Sequence, residues 1–73
     1  MRYFFHLVSE DEFYADDTGW DFTNFEDAKA EAALIARDMA TDDDLFVGYV
    51  VSVTDDIGNE IAYVPIEHIW DLQ

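Results

Sequence analysis

Residues that small proteins often use for cross-linking or for binding anions are scarce in this chain of 73 residues. Cysteine is absent, which excludes disulfide bonds and thiolate metal sites. With only 3 lysines and arginines, the chain cannot form the positive patch that binds nucleic-acid backbones or anionic membranes. The longest strongly apolar run, residues 45–51, is far too short to span a bilayer. No signal peptide is visible and the lack of cysteine fits a reducing compartment, so we expect a cytoplasmic protein.

Acidic residues, in contrast, are abundant. Asp and Glu number 18, which gives a formal net charge of −15 and a sequence pI of about 4.1. The chain is nevertheless 51% hydrophobic and 16% aromatic, so its composition is that of a folded domain and not of a disordered acidic tail. Such a domain repels phosphate groups and attracts basic surfaces. Because a core of this size gives little stability, we also expect support from self-association, as a homodimer, or from a partner.

One helix is predicted from periodicity. Apolar residues recur at intervals of three and four and so share one face: Phe25, Ala28, Ala32, Ile35 and Met39. Asn24 is a suitable N-cap, with Asp27 three residues later, and Thr23 with Glu26 is the competing capping box. The acidic run at 42–44 predicts a helix end near Ala40 or Thr41.

Four strands are predicted around this helix, at residues 2–8, 13–15, 47–54 and 60–66, because these segments are rich in branched and aromatic residues. Gly19 is expected to take a positive φ in the loop after the second strand, and Gly58 to do so in the last hairpin turn. The order β-β-α-β-β predicts an α+β fold. Two hairpins would form a four-stranded, mostly antiparallel sheet with the helix packed on one face. Residues 1–66 would form the domain and 67–73 a C-terminal arm.

Both faces of the first strand are apolar. Alternation places Tyr3, Phe5 and Leu7 on one side, and Phe4, His6 and Val8 on the other. One helix covers only one face of a sheet, so a second copy of the chain, the C-terminal arm or a different partner is expected to cover the other. His6 is interpreted as a packed structural histidine, and Trp20 is expected in the core or at its rim.

Residues 2–6, with the sequence Arg-Tyr-Phe-Phe-His, resemble the opening of a bacterial family of short proteins of unknown function. The acidic-glycine loop at 16–19, the alanine-rich helix at 26–32 and the Val-Thr-Asp-x-x-Gly turn at 53–58 are similar to later parts of that family. The resemblance extends to about Ile66. It implies a small α+β cytoplasmic protein, and it supplies no activity and no catalytic residues.

No motif in the sequence predicts a catalytic, metal-binding or cofactor-binding site. An EF-hand loop counted from Asp42 would have valines at positions six and twelve, where glycine and glutamate are needed. Nucleophile motifs and glycine-rich phosphate loops are missing, so we expect no enzyme activity, no metal site and no cofactor.

The favoured hypothesis is a non-catalytic interaction module that binds a basic protein, in its narrowest version as a nucleic-acid mimic that inhibits a nucleic-acid-binding protein. The candidate contact residues are Glu26, Asp27, Glu31, Asp42, Asp43, Asp44, Asp55, Asp56 and Trp70. The alternative is a small homodimeric domain whose acidity reflects only solubility or adaptation to salt. Direct binding of nucleic acid or membrane is not expected.

Overall fold

The computed structural model of this chain describes residues 1–42 and 45–67, with only the backbone described at Asp42. The elements, in chain order, are β1 (Arg2–Val8), β2 (Phe13–Tyr14), β3 (Trp20–Asp21), α1 (Phe25–Asp42), β4 (Val50–Thr54) and β5 (Glu60–Pro65). The predicted arm after residue 67 lies outside the described residues, as do Asp43, Asp44 and Trp70.

The sheet is antiparallel throughout and has the order β2-β1-β4-β5, with β3 also paired to β1. This confirms the predicted α+β fold with one helix on the sheet. The structure adds β3, which the sequence did not predict. Both β2 and β3 pair with the same edge of β1: Phe13 lies opposite Val8 at one end, and Trp20 lies opposite Tyr3 at the other.

The helix begins after Asn24, whose side-chain oxygen accepts the backbone N–H of Asp27 at 2.9 Å. This confirms the predicted N-cap. Ala28 and Ala32 are completely buried, and Ala36 and Ala40 extend the same stripe, so small side chains let the helix approach the sheet closely. The helix ends at Asp42, slightly beyond the predicted end. No helix in the described part of the chain is long and apolar enough to cross a membrane.

The core lies between α1 and the sheet. Val51 and Val53 of β4 are completely buried, and Tyr3 and Ile66 are nearly so. Val53 pairs with Ala62 whereas Thr54 pairs with Glu60, so a β-bulge at Ile61 shifts the register of β5. Gly58 has a φ of 93°, which confirms the predicted left-handed residue in the turn between β4 and β5.

Candidate protein-binding surfaces

The sheet face opposite the helix is uncovered within the described chain. Pairing and alternation place Phe4, His6, Val8, Phe13, Val50, Ser52, Thr54, Glu60 and Tyr63 on this face, which we call the open face. Phe13 is 62% exposed and Tyr63 is 63% exposed. Phe4, His6, Val8 and Val50 are half-buried. The open face is therefore a mainly apolar and aromatic surface, which is unusual for a sheet side in contact with water.

His6 lies at the centre of the aromatic part of the open face. Its ring lies 6.4 Å from the Phe4 ring, nearly parallel to it, and 5.3 Å from the Phe13 ring. Nδ1 accepts the backbone N–H of Asp16 at 3.0 Å, so the proton is on Nε2, which donates to the Thr54 hydroxyl at 3.1 Å. Both ring nitrogens are thus used internally, in agreement with the predicted structural role.

The carboxylate of Asp16 replaces strand pairing along the edge of β1 between β2 and β3. One oxygen accepts the N–H of Phe5 at 3.1 Å, and the other accepts those of Thr18 at 3.0 Å and Gly19 at 3.1 Å. Burial raises the pKa of Asp16, but the N–H donors of Gly19, Phe5 and Thr18 lower it, and the balance lies below the ordinary value. An ionised carboxylate therefore holds this loop.

Arg2 and Phe4 hold the same loop from the strand side. The Arg2 guanidinium donates to the carbonyl of Thr18 at 2.7 Å and forms an ion pair with Asp21 at 3.4 Å. The Phe4 ring covers Gly19, where φ is 74° and an added Cβ would lie 2.8 Å from a ring carbon. Because Arg2, Phe4 and His6 alternate along β1, the Arg-Tyr-Phe-Phe-His opening and the acidic-glycine loop form one structural unit.

The acidic residues predicted as contacts on the helix form a mixed surface. Glu26 and Asp27 are exposed in the first turn, where negative charge favours the helix dipole, and Glu31 is half-buried. Lys29 lies on the same helix with its ammonium 5.7 Å from the centre of the Phe25 ring. The carboxylates of this helix thus alternate with positive charge.

The turn between β4 and β5 contains Asp55 and Asp56. The Asp55 carboxylate accepts the N–H groups of Asn59 at 2.9 Å and Ile57 at 3.1 Å. The hydrogen bond from the N–H of Asn59 is the main reason why the pKa of Asp55 is lowered. Desolvation opposes this shift, and the N–H of Ile57 adds to it. Asp55 also shares a surface groove with Phe25, so this turn and the start of α1 lie at one end of the molecule. Asp42 lies at the other end of the helix, about 24 Å from Glu26.

A second acidic site lies in the turn between β1 and β2 and was not among the predicted contacts. Ser9, Glu10, Asp11 and Glu12 line a surface cavity of about 440 Å³ together with Val47, Gly48 and Tyr49. One oxygen of Glu12 accepts the hydroxyl groups of Tyr14, at 3.0 Å, and of Tyr49. The acidic run at 10–12 was visible in the sequence, but the contact with Tyr49 spans 37 positions and has no local signal.

A family model described as Domain of unknown function (DUF6894) matches residues 2–67. The chain belongs to this family. The predicted resemblance to a family of unknown function is therefore confirmed at the family level, whereas the Arg-Tyr-Phe-Phe-His opening as a feature of that family stays a prediction. The bacterial origin stays a prediction. Neither a curated protein nor a solved structure matches the chain.

Proposed function

We propose that this domain is a non-catalytic interaction module whose open face binds a basic surface on another protein in the same compartment, which we expect to be the cytoplasm. The supporting observation is the composition of the open face. It exposes the rings of Phe13 and Tyr63, aromatic residues that often anchor interfaces. Carboxylates lie at its two edges, Asp16 beside β1 and Glu60 on β5. Arg2, at the end of this face, is already bound to Asp21.

Charge favours a basic partner over a second copy of the chain. A basic partner and a second copy would bury the same apolar surface, but a second copy carries a net charge of −15 of its own. Like charges brought together at an interface oppose association, whereas a basic partner is attracted and associates faster. The predicted homodimer is therefore the competing outcome that the experiment must separate.

The path of the chain also supports an external occupant. Ile66 is buried, and its N–H donates to the carbonyl of Tyr49 at 2.8 Å. Glu67, the last described residue, lines a groove with Ala33 and Arg37 of the helix. The described chain thus ends on the helix side of the sheet, away from the open face.

The narrower proposal is that the partner binds nucleic acids, so that the carboxylates of this domain occupy a surface that otherwise binds phosphates. The net charge supports it. The positive charges of Lys29 and Arg37 among the helix carboxylates do not favour a continuous row of acids on α1. We therefore place the main contact on the open face and assign the acidic helix and turns a steering role.

The test compares variants on the two sides of the molecule. Proteins captured from the native cytoplasm at about 0.15 M salt are identified, purified and titrated with wild type, Tyr63→Ala and Leu34→Ala. Leu34 is the matched control, since it is a large apolar residue, 55% exposed, on the helix. For a basic partner, we expect Tyr63→Ala to weaken binding at least tenfold, Leu34→Ala to have no effect, and about 1 M salt to weaken binding strongly.

Equal affinities for the two variants would overturn the assignment to the open face. Light scattering that shows a dimer, dissociated by Tyr63→Ala, would assign this face to a second copy. Recovery of binding only after deletion of residues 68–73 would assign it to the tail. Competition by nucleic acid for the purified partner would support mimicry. Absence of any basic partner, with stability that rises steeply with salt, would support the solubility alternative.

A further inference from the structure

The cavity at the turn between β1 and β2 is lined by one aromatic ring, that of Tyr49, which packs against two others. The Tyr49 ring lies 5.1 Å from the Phe46 ring at 80° and 6.2 Å from the Tyr14 ring at 23°. The Phe46 and Tyr14 rings are 6.4 Å apart and nearly perpendicular. Each ring of the trio packs against the other two, and of the three only Tyr49 lines the cavity.

The carboxylate of Glu12 is held beside the Tyr49 ring by hydrogen bonds. Its Oε1 accepts both the Tyr14 and the Tyr49 hydroxyl groups. The hydrogen bond from Tyr49, with that from Tyr14, lowers the pKa of Glu12, and the same bond to Glu12 raises the pKa of Tyr49 to about 12. At neutral pH, the carboxylate therefore keeps its negative charge while the two hydroxyl groups keep their protons.

The backbone holds the acidic side of the cavity in place as well. The Ser9 hydroxyl accepts the N–H groups of Asp11 at 3.2 Å and Glu12 at 3.0 Å, and the Ser9 N–H donates to the carbonyl of Glu12 at 2.8 Å. Glu10 and Asp11 are exposed and also line the cavity. One aromatic ring, an oriented carboxylate and two further negative charges thus line one concave surface.

We propose that this cavity binds the guanidinium group of an arginine side chain on the partner protein. A guanidinium packs against aromatic rings and donates hydrogen bonds to carboxylates, and Tyr49 and Glu12 supply one group of each kind to the lining of this cavity. A metal ion is a poorer match, because no group of three or more metal-ligating side chains is gathered among residues 1–42 and 45–67. This inference rests on the proposed function, since the arginine would belong to the basic partner.

The experiment uses N-acetyl-L-argininamide, which carries one positive charge, and its uncharged isostere N-acetyl-L-citrullinamide. Backbone amide shifts of the ¹⁵N-labelled full chain are followed by NMR during titration. We expect saturable shifts confined to Asp11, Glu12, Gly48 and Tyr49 with the arginine compound, and none with the citrulline compound. Glu12→Gln should weaken binding at least fivefold, and Tyr49→Leu should do the same.

The control for charge is Asp17→Asn, which removes the same single charge from an exposed position outside the cavity. We expect it to leave the affinity unchanged. Tyr49→Phe, which keeps the ring, should weaken binding less than Tyr49→Leu, and it serves as the second variant if Tyr49→Leu does not fold. Shifts spread over acidic residues throughout the chain, or equal losses for Glu12→Gln and Asp17→Asn, would overturn the site.

Two further outcomes separate this inference from the proposed function. Tyr63→Ala should leave the affinity for N-acetyl-L-argininamide unchanged, because Tyr63 lies on β5 and not in the cavity. If the purified partner is sensitive to Tyr63→Ala but not to Glu12→Gln, the arginine site is wrong and the open face stands. If the reverse holds, the open face is wrong and the arginine site stands.

Discussion

The two faces of the sheet are built from alternate residues of the same strands and yet differ in every physical respect. On the helix side, Val51 and Val53 are completely buried beneath a stripe of alanines. On the open face, their strand neighbour Ser52 lies between His6 and Tyr63, and the Tyr63 ring is largely in water. The strands are apolar on both sides, so a single helix decides which side becomes core. The face it leaves uncovered is the one to which we propose that a partner binds.

The largest effect is expected from the glycine beneath the open face. Gly19→Ala should destabilise the fold by about 2–4 kcal/mol, since it combines a left-handed backbone with a Cβ pressed against Phe4. Urea unfolding followed by circular dichroism measures the change. Gly48 is the matched control: its φ is 99°, but an added Cβ would have no atom within 4 Å. Gly48→Ala should therefore cost only about 1–2 kcal/mol. Equal losses would show that Phe4 does not press on the loop.

The second prediction compares the two faces directly. Val53→Ala on the helix side should cost about 2 kcal/mol, because it removes two buried methyl groups and leaves a cavity. Tyr63→Ala on the open face should cost less than about 0.5 kcal/mol in the isolated chain. Both are measured by urea unfolding of dilute protein. A large loss for Tyr63→Ala would mean that the open face is already covered in solution, and its dependence on protein concentration would identify a second copy as the cover.

Local features of this fold were predictable from the sequence. The bounds of β1, the cap at Asn24 and the positive φ at Gly19 and Gly58 each depend on a few neighbouring residues, and the structure confirms them. The burial of Trp20 was predicted wrongly, since its side chain is 59% exposed. It belongs to β3, a two-residue strand that follows the loop held by Asp16 and is too short to give a sequence pattern.

Predicting the candidate sites was harder, because they depend on contacts between distant segments. The acidic runs were recognisable, but the sequence does not show that the carboxylate of Asp55 serves its own turn. Nor does it show that Glu12 meets Tyr49 across 37 positions. The number of acidic residues predicts the sign of a partner's charge, whereas the shape of the surface that would bind the partner arises from tertiary packing.

A smaller loss of stability than that of Val53→Ala is expected when the hydrogen bonds of Asp16 are weakened, and this loss depends on pH. Because its pKa is below the ordinary value, the stabilisation is fully present above about pH 4, the unfolded value, and is lost as the pH falls through the folded pKa. Asp16→Asn places an amide N–H₂ or a weaker acceptor against the Phe5 and Gly19 donors, and should cost about 1 kcal/mol at pH 7. The difference from wild type should shrink as the pH is lowered to 3, because protonation weakens the same bonds in the wild-type chain.

Urea midpoints across this range measure it, with Asp17→Asn, an exposed neighbour of the same charge, as the control. A difference that stays constant with pH would mean that the loop is held by Arg2, Phe4 and His6 without the charge of Asp16. The support of the open face would then come from β1 alone.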